Sequence, residues 1–455
     1  MSEGAKKKRL YLKTYGCQMN VYDSERMVDL MAPHGFVLSE APDNSELIIL
    51  NTCHIREKAA EKVYSDLGRL VPLKRKALSE GKNLKIVVAG CVAQAEGEEI
   101  IKRQPAVDIV VGPQTYHKLP ELLFNNMKSS RSVVATEFPT ESKFDDLLID
   151  KINDNPTSFV SVQEGCDKFC SFCVVPYTRG AEYSRPAQDI IKEIDVLVSK
   201  GAKEICLLGQ NVNAYHGLMG KKAWSLSRLI KEIAEIENLK RIRYTTSHPA
   251  DMTQDLVDAH GQIEQLMPYL HLPIQSGDDF ILKAMNRNYK VEDYISIINR
   301  LRSVRPDIAL SSDFIVGFPG ESEQAFKNTL NLIEEVGFSQ SYSFKYSRRP
   351  GTPASIMQGQ IEEKLKLERL LVLQEVLNSQ QLIFNKSFVN TKMKILLERK
   401  GRKDNQLVGR TPYMQATHIE NKTSNIGEIV EVKIDEATKN SLKGNFTNSR
   451  IETHN

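Results

Sequence analysis

The sequence has no apolar run approaching the roughly 18 residues that a membrane-spanning helix requires, so no membrane partner is expected. The basic start, with Lys6, Lys7, Lys8 and Arg9, is not followed by an apolar core, which argues against a secretory leader. Cysteine is sparse, 7 in 455 residues, too few to staple a chain this long with disulfides. In a cytoplasmic protein, the expected location here, clustered cysteines point instead to metal or catalysis. No sign of charge dominates: 61 Lys and Arg against 58 Asp and Glu leave +3. Hydrophobic content of 41% and charged content of 26% are ordinary, and the length suits two or three domains with a sizeable core.

What is present is a concentrated stretch, Gly165-Cys166-Asp167-Lys168-Phe169-Cys170-Ser171-Phe172-Cys173. It reads C-x3-C-x2-C and follows an apolar, strand-like run at residues 159–162. A structural tetrahedral zinc site wants four ligands, and here the fourth is missing. The next cysteine, Cys206, lies inside another apolar run and reads as core; the nearest downstream histidine is His216. Three thiolates suit a [4Fe–4S] cluster with one iron left open. Zinc or idle thiols are the alternative. The spacing, with aromatic Phe172 before the last cysteine, resembles the signature of radical S-adenosylmethionine (SAM) enzymes.

Three more cysteines end apolar runs in the first third. Residues 9–16 lead into Cys17, 46–52 into Cys53 and 85–90 into Cys91. The latter two runs are continuously hydrophobic, as in strands buried on both faces of a parallel sheet. Helical patterns at 22–33 and 59–77 complete a βαβ alternation, hence an open, Rossmann-like α/β domain. Such sheets bind ligands beyond the carboxyl ends of their strands, where all three cysteines sit. A shared three-thiolate site is expected; three cysteines packing as small hydrophobes is the bland alternative. Asn20, Asn51 and Gln94 flank them, either tuning the site or serving as turn and cap residues.

From about residue 150 to 385 six strand-like runs (159–162, 204–208, 241–245, 269–273, 308–316, 340–346) alternate with helical patterns (187–199, 226–236, 254–265, 291–304, 322–335, 361–385). This predicts a partial (β/α)6 barrel, whose chemistry sits on the loops after the strands. Phe172, Gly209, Gln210, Asn211, Ser276 and Gly317 on these loops are candidates for holding SAM, glycine allowing close backbone approach. His248 and His271 are read as hydrogen-bonding residues before ligands or acid–base groups. Arg179, Arg185, Arg348 and Arg349 are placed to meet a phosphate or carboxylate.

The last segment becomes all-β (392–398, 406–410, 414–418, 429–434), the length of a small barrel. Residues 385–450 carry 13 Lys and Arg against 7 Asp and Glu, +6, so the remainder is 3 − 6 = −3. The basic excess and Tyr413 suit an RNA-binding barrel that tracks phosphates and stacks a base. A structural cap is the alternative.

With both triads in view the chain resembles the MiaB-type, radical-SAM methylthiotransferase family. The motifs are Thr14-Tyr15-Gly16-Cys17-Gln18-Met19-Asn20, Asn51-Thr52-Cys53, Ala89-Gly90-Cys91 and the C-x3-C-x2-C loop. The phrases at 272–277 (LPIQSG), 283–288 (KAMNRN) and 312–321 (SDFIVGFPGE) are similar to its tRNA-modifying branch. The resemblance implies a methylthiotransferase domain (1–147), a radical-SAM domain (148–385) and a TRAM RNA-binding barrel (386–450). It implies two [4Fe–4S] clusters, with the one at Cys166, Cys170 and Cys173 cleaving SAM. The one at Cys17, Cys53 and Cys91 would carry sulfur and receive a methyl group from a second SAM. The reaction would place a methylthio group on carbon 2 of N6-isopentenyladenosine in the tRNA anticodon stem-loop. That C–H bond is not usefully acidic, so a radical is required. An electron donor, a sulfur donor and a monomeric state are further expectations. A sister methylthiotransferase acting on a ribosomal protein or on threonylcarbamoyladenosine, and a non-catalytic RNA-binding metalloprotein, are the other readings.

Overall fold

A computed structural model describes residues 7–53, 59–129, 131–138, 144, 155–420 and 424–447. The chain forms two compact units: Met1–Ile152 with Glu164–Asp167 and Val174–Tyr183, and Asn153–Gln163 with Lys168–Cys173 and Ser184–Asn455. The expected boundary at 147/148 lies outside the described residues, as do Lys6 and Arg450.

The first unit is built on a parallel six-stranded sheet. Its spatial order is Phe36–Ser39, Lys8–Thr14, Leu47–Thr52, Lys85–Gly90, Ile109–Val111 and Val133–Ala135. The central strands Leu47–Thr52 and Lys85–Gly90 are buried along their whole length. Alternate side chains feed opposite faces: Leu47, Ile49 and Val87 pack with Met27 and Leu30, while Ile48, Leu50 and Val88 pack with Val63 and Leu67. Covering both faces is what makes these strands continuous apolar runs. Three of the six strands escape the sequence pattern because they are only three or four residues long. The register pairs Thr14 with Asn51 and Thr52 with Gly90. The three cysteine-bearing strand ends therefore share one edge.

In the second unit Thr157–Ser161, Glu204–Leu208 and Arg241–Tyr244 form one parallel sheet. Tyr269–His271, Ala309–Val316 and Gln340–Lys345 form another. A bridge from Ile242 to Leu266 leads from the first to the second. Helices Ala187–Ser199, Leu226–Ala234, Gln254–Gln262, Val291–Val304, Glu323–Val336 and Glu363–Lys386 alternate with the strands. This is the partial barrel expected.

The same unit ends in a closed barrel of Lys392–Lys400, Gln406–Arg410, Ala416–Glu420, Leu442–Phe446 and Ile429–Ala437. Its fifth strand, Leu442–Phe446, lacks a hydrophobic run. Gly444 faces inward, where a Cβ would lie 2.3 Å from the Lys433 carbonyl oxygen. The expected strand at 414–418 starts later, because Met414 turns at φ 75°.

Two arginines fasten this barrel to the beginnings of the strands Glu204–Leu208 and Arg241–Tyr244. Arg241 donates to the carbonyls of Arg410 and Lys394, and Arg243 to those of Pro412 and Thr411, at 2.7–2.9 Å. Glu204 answers both, 3.0 Å from Arg243 and 3.8 Å from Arg241. Burial pushes the Arg241 guanidinium down to about 10, against the opposing pull of Glu204. From the preceding helix, Asn385 donates to the carbonyls of Thr438 and Lys439. Among the described residues no helix is long and apolar enough to cross a membrane.

Candidate active site

Cys17, Cys53 and Cys91 follow the aligned ends of three neighbouring strands. Their spacing is set by backbone that tolerates no side chain. Gly16 (φ 96°) would place a Cβ 2.4 Å from the Cys53 sulfur, and Gly90 (φ 90°) one 2.4 Å from the Thr52 carbonyl. Asn20 ties two of the strand ends together, its Nδ2 donating to Tyr15 O at 2.9 Å and Thr52 O at 2.8 Å. Asn51 Nδ2 donates to Asn20 O and Ser24 Oγ. Thr52 Oγ1 donates to Ala89 O and accepts from Val92 N, joining the Cys53 end to the Cys91 end. Asn20 and Asn51 thus position the cysteines, and Gln94 reaches Thr136 O instead.

The thiols sense one another. A hydrogen bond from Cys53 holds Cys17 down to about 6 against burial, helped by the charge of Arg179. Cys17 also caps the N-terminus of helix Gln18–Met31, where the macrodipole favours a thiolate. Burial pushes Cys91 up, with Arg179 opposing and Cys17 adding to the rise. All seven cysteines are free. Among the described residues no three such groups already ring a point as they would a single ion. The fit of a four-iron cluster rests on the donor set itself: three thiols at one sheet edge, one of them readily ionised, the bonding state that iron requires.

The second triad lies within eight residues of chain. Gly165 (φ 71°) opens it, with the Ala181 carbonyl oxygen 1.9 Å from where a Cβ would stand. Residues 168–173 are held by the segment carrying the KAMNRN phrase. Asn286 Nδ2 donates to Lys168 O and Phe169 O. Ser171 donates its N–H to Met285 O and its hydroxyl to Ala284 O. Arg287 reaches the Cys170 sulfur at 3.8 Å and Pro273 O at 2.7 Å. Sequence reasoning noticed this phrase but missed that it is the clamp on the cysteine loop. Cys206 is a core residue, as read, its thiol pushed up to about 12 by burial.

The strand ends of the second unit carry strained backbone and unpartnered polar atoms. Thr246 and Gln275 hold φ 67° and 80°, the kind of strain that persists at ligand sites. Asn211 Oδ1, Ser247 Oγ and His248 Nε2 are buried with no hydrogen-bond partner among the described residues. Burial, with Arg287 and Lys168 nearby, pushes His248 down to about 2, so it stays neutral. Asn211 Nδ2 donates to Asp251, which also takes Lys168 at 2.7 Å. Gln163 Oε1 accepts from the N–H groups of Gln210 and Asn211, over Gly209.

Other predicted residues have internal tasks. Phe172 packs beside Met285, Phe318 and Tyr346. Ser276 Oγ accepts from Asp278 N. Gly317 donates its N–H to Glu321 and leaves Lys366 room. His271 hydrogen-bonds Ser311. The phosphate-binding expectation needs correction for two arginines. Arg179 is buried against Asp23 and Glu164, and Arg185 against Glu193 and Ser161 O, so their charges are taken up inside the chain. Tyr413 packs on Phe384 and Phe388 and donates to Asp307, which removes its ring from simple base stacking. Arg348 is exposed, 3.0 Å from Gln360, and Arg349 is half-buried.

Three family descriptions match: Uncharacterized protein family UPF0004 at residues 9–112, Radical SAM superfamily at 160–333 and TRAM domain at 386–447. A tRNA-2-methylthio-N(6)-dimethylallyladenosine synthase of Maricaulis maris (strain MCS10) is 54% identical over 449 residues, 98% of each chain. A protein of the same name from Rickettsia rickettsii (strain Sheila Smith) is 56% identical over 440 residues, 96% of this chain and 99% of that one. The radical S-adenosylmethionine methyltransferase TsrM from Kitasatospora setae shares the fold at TM-score 0.55 and 12% identity, over 77% of each chain.

Proposed function

The chain belongs to the tRNA-2-methylthio-N(6)-dimethylallyladenosine synthase family, and from that premise we propose how its residues divide the work. It is a radical-SAM enzyme acting on tRNA, and its superfamily implies a [4Fe–4S] cluster and SAM. The product is 2-methylthio-N6-isopentenyladenosine next to the anticodon. Cys166, Cys170 and Cys173 would hold the radical-SAM cluster, and Cys17, Cys53 and Cys91 a second one. With SAM bound, an open-iron cluster supplies the one-electron chemistry that an unactivated aromatic C–H bond demands.

The chain's own residues do the rest. Asn286, Ser171 and Arg287 hold the cysteine loop in place. Asn211, Ser247 and His248 present polar atoms with no partner among the described residues, suited to the polar groups of SAM. Gly209, Gln210, Ser276 and Gly317 shape the loops around them. The reaction calls for an electron donor and a sulfur donor, and we place it in the cytoplasm, on a monomer of three domains (1–147, 148–385, 386–450). The observation that carries this reading is the meeting of Cys17, Cys53 and Cys91 at one sheet edge, in a chain with a second, separate thiol triad. The test is nucleoside analysis of isopentenylated tRNA incubated with reconstituted protein, SAM, sulfide and reductant. The methylthiolated nucleoside is expected; its absence from the tRNA, with SAM still cleaved to 5′-deoxyadenosine, would contradict the assignment.

RNA contact is assigned to the exposed face of the barrel and to Arg348 and Arg349. Lys394 and Lys433 are exposed on paired strands whose inward residues, Met393, Ile395, Val432 and Ile434, fill the barrel. Replacing both with Gln removes two phosphate contacts. The plot of log affinity against log salt should flatten by about 0.7–0.9 for each, with SAM cleavage unchanged. An unaltered slope would move RNA recognition to Arg348 and Arg349. Deleting the barrel is a poorer test, because it strips the partners from Arg241 and Arg243.

A further inference from the structure

Arg179 ends the short helix Val175–Arg179, six residues after Cys173 in the sequence. Its side chain is 3% exposed. Nη2 donates to Asp23 Oδ2 at 2.7 Å and to Asn20 Oδ1 at 3.2 Å, and Nη1 donates to Glu164 Oε1 at 3.2 Å. Three acceptors, two on the helix Gln18–Met31 and one on the strand Gln163–Glu164, thus grip one planar fork, a geometry that lysine cannot reproduce. Asn20 is the same side chain that ties the Cys17 and Cys53 strand ends together. The guanidinium also acts through its charge on Cys91 and Cys17.

Charge makes this arrangement matter. Three thiolates around a four-iron core leave a net anion in a dry setting, and Asp23 and Glu164 add two more negative charges. An anion buried without compensation is costly. Electrostatics and hydrogen bonds at the sulfurs are among the levers that set a cluster's potential.

We propose that Arg179, gripped by Asp23, Glu164 and Asn20, is a positioning residue of the Cys17/Cys53/Cys91 site, fixing the placement of the thiolates and raising the reduction potential of the cluster they would hold. The inference rests on the reading that this triad carries a cluster. Arg179 touches neither SAM nor RNA in this role. Its position in sequence, close behind the radical-SAM cysteines, makes that segment a structural part of the other site.

The test uses full-length protein in which Cys166, Cys170 and Cys173 are all Ala, so that the N-terminal triad alone can load. Iron and sulfide are counted, and the potential is read by a redox titration followed by electron paramagnetic resonance. The parent should bind about four irons. Arg179→Gln should lower the potential and Asp23→Asn should raise it. Each shift should be at least a tenfold change in the reduction equilibrium, about 59 mV for one electron, while Arg179→Lys falls between parent and Gln. A purely structural role would not move the two potentials in opposite directions. Shifts under threefold in both variants, or shifts of the same sign, would overturn the inference. If Arg179→Gln loses its iron, Asp23→Asn decides alone, since it keeps the guanidinium. A parent without iron would sink the cluster reading and this inference together; a loaded parent with unmoved potentials would sink the inference only.

Discussion

Cys53→Ala is expected to abolish methylthiolation of tRNA, to the background of the assay, while SAM is still cleaved to 5′-deoxyadenosine. Cys53 follows the strand Leu47–Thr52 and is 1% exposed. Its sulfur hydrogen-bonds Cys17 and stands where a Gly16 Cβ would otherwise be. Removing it deletes a third of the donor set but little volume, a stability loss of about 1 kcal/mol by the usual large-to-small scale. The fold should persist. The C-x3-C-x2-C loop is clamped by Asn286, Ala284 and Met285, none of which depends on Cys53. Loss of both activities in a folded variant would argue for one shared cluster instead of two.

Glu204→Ala should produce the largest fall in stability of any single substitution considered. Glu204 is 1% exposed and faces the guanidinium groups of Arg241 and Arg243, themselves about as buried. Its removal leaves two buried cations supported by carbonyl oxygens of the C-terminal barrel and, for Arg241, by the charge of Glu398. Breaking a buried ion pair by deleting one partner costs about 3–5 kcal/mol. The denaturant midpoint of the second unit should drop accordingly, and protease should cut around residues 387–391 more readily. Glu204→Gln keeps an acceptor for Arg243 and should lose less. An unchanged midpoint for Glu204→Ala would mean that these remaining partners satisfy both arginines.

Glu204 also shows where sequence reasoning stops. The run 204–208 reads correctly as a strand because Ile205, Leu207 and Leu208 are apolar. Nothing local says that the leading glutamate is buried, because its partners lie 37 and 39 residues on and the carbonyls they reach lie in another barrel. The periodic features were legible: strand ends at Cys17, Cys53 and Cys91, the six β/α repeats and the cysteine spacing. Each depends on neighbours in sequence. Arg179 and Arg185 looked like anion-binding arginines because they follow the cluster loop closely. Their fate depended on Asp23, Glu164 and Glu193, which only the fold brings to them. Tyr413 was read from a basic, β-rich context, and its packing on Phe384, at the end of the helix Glu363–Lys386, and on Phe388, in the turn after it, is set by the fold. Leu442–Phe446 was invisible because barrel closure, not hydrophobicity, makes it a strand.

The central claim is that two triads hold two separate clusters. Its most direct test is the iron and sulfide content of anaerobically reconstituted full-length protein beside Cys170→Ala and Cys53→Ala. Two four-iron clusters predict about eight irons per chain in the parent and about four in each variant, with neither variant affecting the other's site. Full iron content in Cys170→Ala, or loss of all iron in either single variant, would contradict it.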